Sequence, residues 1–99
     1  MNGQEDYYTD VVQGYLDLRD NEEVIRDKTD VYGTELFSDQ VVQRIPQLKA
    51  QNPSAPLFLY YPLQAVHTPL EAPDTYKESQ ACLNVPNADR KTFCGMARA

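Results

Sequence analysis

The feature that most limits what this chain can fold into is Leu57-Phe58-Leu59-Tyr60-Tyr61, five consecutive apolar or aromatic residues held between Pro56 and Pro62. The run is too short for a helix and lacks the polar alternation of a half-exposed strand, so 57–61 reads as a strand buried on both faces. Such a strand needs a neighbour along each edge and a packed layer on each face. Upstream, Phe37, Val41, Ile45 and Leu48 recur at intervals of four, four and three, with Leu36 and Val42 widening the stripe, which predicts a helix over 34–49. Thr34 is the expected N-cap, and Glu35 and Asp39 place acid near the helix's positive end. Pro46 cannot donate to the ladder and predicts an end or kink at Ile45. Asn52-Pro53-Ser54-Ala55-Pro56 supplies the turn into the strand. Helix, tight connection and buried strand form the second half of a parallel crossover unit, so the expected class is α/β. One helix cannot cover two sheet faces. The missing strands and layers are expected outside these residues, and the chain reads as part of a domain.

The flanking segments are less regular. Residues 1–30 form a polar loop or hairpin region with Asp or Glu at 5, 6, 10, 17, 20, 22, 23, 27 and 30, and Tyr15 to Leu18 alternates as a short edge strand would. The acidic spacing matches no calcium-loop pattern, which favours a solvated acidic face over a metal site. Pro62, Pro69, Pro73 and Pro86 make 62–90 a stretch of loops, and 91–99 reads as the start of a helix.

Charge and hydropathy then narrow the classes of partner. A hydrophobic content of 41%, with seven tyrosines and three phenylalanines, is ordinary globular usage and argues against a disordered or fibrous chain. The net charge of -6 repels phosphate backbones and anionic lipid, and no lysine and arginine cluster reverses it locally, so nucleic acid is not an expected partner. The longest apolar run, Pro56 to Leu63, is far below the roughly 18 to 20 residues of a membrane span, and no membrane partner is expected. Met1 to Asp6 lacks the basic and apolar regions of a signal peptide. Two cysteines, Cys82 and Cys94, are compatible with one disulfide or with two thiols.

The single histidine, His67, lies six residues past the expected strand, in Gln64-Ala65-Val66-His67-Thr68-Pro69. Ligands collect beyond the carboxyl ends of strands in open α/β sheets, which makes a titratable imidazole there a candidate site residue. Position alone favours a loop histidine that bonds a backbone carbonyl or faces water. Cys82 and Cys94 have no CxxC or Cys/His zinc spacing, no serine stands in a nucleophile-elbow motif, and no glycine-rich loop could cradle phosphate.

The segment from Pro56 through His67 to Pro73 closely resembles the stretch of the type I sulfatases, those of the arylsulfatase B kind above all, in which a buried strand delivers an active-site histidine. Glu5-Asp6-Tyr7-Tyr8, Asp17-Leu18-Arg19-Asp20, Tyr32-Gly33-Thr34-Glu35-Leu36-Phe37 and Asp89-Arg90-Lys91-Thr92-Phe93-Cys94-Gly95-Met96 are similar to that family in order and spacing. The resemblance implies a fragment of an alkaline-phosphatase-like α/β sandwich and a calcium-dependent hydrolase of sulfate esters, sulfated glycosaminoglycans among them, working in the lysosome or outside the cell. It implies a formylglycine nucleophile made from a C-x-P-S-R cysteine, which neither Cys82-Leu83-Asn84 nor Cys94-Gly95-Met96 matches. The calcium ligands, like the nucleophile, are expected outside this chain, in the remainder of the sulfatase domain. Only His67 carries over, as a sulfate contact that stabilises charge. Pro46 departs from a helix that is usually unbroken in the family. Maturation in the secretory route further implies that Cys82 pairs with Cys94, the alternative being a Cys94 packed beside Phe93 and Met96 as a small apolar residue. The competing readings are a non-catalytic remnant acting as a binding piece, and a phosphatase or phosphodiesterase of the same superfamily.

Overall fold

The computed structural model describes residues 6–28 and 30–99. Glu5 of the Glu5-Asp6-Tyr7-Tyr8 motif, and the leader reading of residues 1–5, lie outside the described residues. Two antiparallel ribbons open the fold: β1 (Val11–Val12) pairs with β2 (Tyr15–Leu16), and β3 (Arg19–Asp20) pairs with β4 (Glu23–Val24). The first is closed by Gln13 and Gly14 at φ of +50° and +84°, the paired positive values that match a tight turn to the twist of its strands. The alternation seen in the sequence at Tyr15 to Leu18 thus yields a two-residue strand, because the chain turns again at once into the second ribbon. The acidic face is largely exposed as expected, except that Asp10 is fully buried.

Helix α1 runs over Gly33–Gln51. It starts one residue before the expected Thr34, and Tyr32 rather than Thr34 takes the cap position without a side-chain cap bond. The reason is a tertiary contact: the N–H of Gly33 donates to the Tyr7 carbonyl at 2.6 Å, which satisfies one of the free end groups of the helix. Nor does Pro46 stop the helix, which continues through it to Gln51. Pro46 and Val42 are both exposed, so water can solvate the carbonyl that the proline leaves without a donor. Only Gly33, Thr34 and Leu36 of α1 are buried; Val42 and Ile45, on the apolar stripe or beside it, stand open.

The expected buried strand does not form among the described residues. Residues 57–61 are extended and bounded by prolines, but among the described residues no neighbour supplies a ladder and no layer covers them: Phe58 is 89% exposed and Tyr60 78%. Lys49 closes the preceding turn by donating to the Ala55 carbonyl at 2.8 Å, and the Ser38 and Tyr61 hydroxyls, 2.9 Å apart, tether the run to α1. The stretch expected to be all loop holds a short helix, α2 (Asp74–Lys77), following Pro73. Helix α3 covers Ala88–Arg98, three residues earlier than expected, because the Asn87 side chain caps it by accepting the Arg90 N–H at 2.9 Å. Tyr76 of α2 donates to Glu35 of α1 at 2.8 Å.

The core gathers Tyr7, Tyr32, Ala72 and Met96, with Tyr8, Ala65 and Leu70 packed against it. It therefore joins the N-terminal segment, the start of α1, the loop after the apolar run and α3. Gly95 lets α3 approach closely, since a Cβ there would lie 2.8 Å from the Lys77 Cγ and 3.1 Å from the Ala72 Cβ. The radius of gyration, 15.7 Å, exceeds the roughly 13 Å of a compact chain of this length, as expected when α1 and the apolar run project from so small a core.

Candidate functional site

His67 sits on the exposed surface of the loop that joins the apolar run to the core. The loop's backbone holds cis peptide bonds at Ala65-Val66 and Thr68-Pro69. The imidazole Nδ1 lies 2.7 Å from the Thr68 carbonyl oxygen. A carbonyl can only accept, so Nδ1 carries the proton and Nε2 is the nitrogen left to meet a ligand. Neutral imidazole then presents a lone pair at Nε2, whereas the imidazolium presents an N–H there.

The loop is held from beneath by a residue sixty positions away. The Tyr7 hydroxyl accepts the His67 N–H at 3.1 Å and donates to the His67 carbonyl at 3.1 Å. Tyr7 itself is 2% exposed, its ring stacks on Tyr32 with centroids 5.5 Å apart, and its N–H donates to Glu71 Oε2 at 2.7 Å. Tyr32 donates its hydroxyl to the Glu71 carbonyl at 3.0 Å, so Glu71 is fixed through its side chain and its backbone at once. Burial pushes the Tyr32 phenol up to about 12 and raises that of Tyr8. Beneath them, burial works upward on Asp6, but hydrogen bonds from the Thr9 side chain and the Thr9 and Tyr8 N–H groups hold its carboxyl below the usual value.

Beside this loop lies a shallow depression of about 350 Å³ walled by Tyr8, Glu71, Pro73, Asp74, Lys77 and Thr92. Lys77 and Asp74 pair there at 2.8 Å; their hydrogen bond raises the lysine and holds the aspartate down. Cys82 and Cys94 are joined in a disulfide with Cα atoms 5.8 Å apart, within the ordinary range. Sequence reasoning pointed to His67 but not to Tyr7, Tyr32 or Glu71 as its support. Their only signal was membership in the quoted motifs.

Among the described residues no three His, Cys, Asp or Glu side chains stand together as metal ligands, and both sulfurs are committed to each other. The donors among the described residues do not fit a calcium ion or a cysteine-derived nucleophile.

No protein-family model matches the chain, and no solved structure matches it. Along 95% of its length it is similar to a curated arylsulfatase, which supports a relationship to the sulfatases. That relative is arylsulfatase J of Mus musculus, 36% identical over 102 residues. The chain spans 16% of that relative's length.

Proposed function

We propose that the chain is a segment of a sulfuric ester hydrolase of the arylsulfatase type, in which His67 contacts the sulfate group being removed. The observation that carries this reading is the similarity to arylsulfatase J along nearly the whole chain. The geometry of His67 supports it. With Nδ1 donating to Thr68, a protonated imidazole offers its Nε2–H outward, where it can donate to a sulfuryl oxygen and balance negative charge as the ester bond breaks. On this reading the substrates are sulfated small molecules or glycans, glycosaminoglycans included, and the setting is the lysosome or the secretory route. The remainder of an alkaline-phosphatase-like sandwich supplies strands beside Leu57–Tyr61, together with the formylglycine and calcium site, and the arylsulfatase B likeness of the sequence belongs to the same reading. The 99 residues alone are catalytically incomplete. The second reading, a non-catalytic binding piece, rests on the disulfide, which leaves no thiol among the described residues for conversion to a nucleophile.

Two assays test the proposal. The purified chain with an aryl sulfate and calcium is expected to show no turnover above background. In a longer chain that carries this segment with a C-x-P-S-R motif upstream, His67→Ala is expected to lower turnover by about 10²-fold or more with the fold retained. Unchanged turnover and substrate affinity in that variant would overturn the assignment of His67.

A further inference from the structure

The structure assigns Tyr7 as a positioning residue that sets where the His67 imidazole stands, an inference that builds on the proposed role of His67. Most loop residues are placed by bonds to near neighbours, but here one phenol holds both backbone groups of His67, accepting its N–H and donating to its carbonyl, each at 3.1 Å. The phenol has little freedom of its own. Its ring is buried against Tyr32, its N–H is taken by Glu71, and its carbonyl is taken by the first N–H of α1. The backbone of His67 is thus referred to the core rather than to the exposed loop it belongs to. With the backbone fixed, the ring reaches the Thr68 carbonyl through Nδ1, and Nε2 is the nitrogen left for a ligand. The contacts of Tyr7 are with the His67 backbone, Tyr32, Glu71 and Gly33. Its contribution is to keep the imidazole in one tautomer and one place before a ligand arrives, which lowers the ordering cost of binding.

The chain contains one histidine, so the imidazole nitrogen resonances of isotope-labelled full chain report His67 without ambiguity. The native chain is expected to show the Nδ1–H tautomer and a protected His67 amide. Tyr7→Phe keeps the buried ring and removes only the hydroxyl; it is expected to shift the imidazole toward the tautomer mixture of a solvated histidine and to speed His67 amide exchange by about tenfold. Tyr32→Phe is the control, because it deletes a hydroxyl of the same stack that bonds Glu71 and not His67. It is expected to leave the imidazole signals in place. Three results would overturn the assignment: a native His67 with the tautomer mixture of solvated histidine, a Tyr7→Phe chain whose His67 signals match the native ones, or equal displacement by both substitutions. The measurement contains no sulfate ester, so its outcome stands apart from that of the hydrolase reading.

Discussion

Burial gives the Tyr32 phenol a titration of its own. Its proton is released near 12 in the folded chain, against about 10 for an exposed tyrosine. A group whose folded value is raised contributes stability that is fully present below the unfolded value and is lost as pH climbs through the folded one. Between pH 10 and about 12 the folded chain should therefore weaken, and Tyr32→Phe should flatten that decline; denaturation by urea at pH 9 and pH 12, with circular dichroism as readout, checks both. An equal decline in the two proteins would refute the assignment. At this scale His67 stood out as a candidate, because an isolated titratable residue after an apolar run is a local pattern. Tyr7 did not, since its contact spans 60 residues and no periodicity encodes it.

Helices proved easier to read than their ends. The four-four-three spacing located α1, yet its start was fixed by the Tyr7 carbonyl and its passage through Pro46 by solvent, and neither is written in the local sequence. For α3 the signal was present in Asn87, a favoured cap immediately before the helix. Asn87→Ala removes the acceptor of the Arg90 N–H and should cost about 1 kcal/mol, read as a lower urea midpoint with an unchanged slope. A midpoint equal to that of the native chain would show that water replaces the cap without loss. The apolar run is the instructive difference. The sequence pattern gave an extended segment, but a strand is a property of its neighbours, and the described residues bring none to Leu57–Tyr61.

Taken whole, the molecule depends on a small core and one covalent tie. The disulfide links residues twelve positions apart and joins the segment after α2 to α3, whose Met96 closes the core. By chain-entropy reasoning a loop of this size stabilises the fold by about 3 kcal/mol. Reduction should therefore lower the thermal midpoint substantially, and calorimetry with and without a thiol reductant measures it; coincident transitions would show that packing of Gly95 and Met96 alone holds α3. The bare apolar run acts in the opposite direction. Exposed Phe58 and Tyr60 on an unpaired extended backbone invite association between copies, so concentrated samples should scatter light before they unfold.

The hydroxyl of Tyr7 also sets a timetable. Turns, ribbons and helix α1 close over a few residues and form within microseconds, whereas the bond to His67 requires a 60-residue loop to shut, an entropic toll of roughly 3.6 kcal/mol by the logarithmic law. Contacts of that span close only after much of the chain between them is ordered. The histidine's geometry is therefore gained late, and its order gauges whether the chain has finished folding around Tyr7.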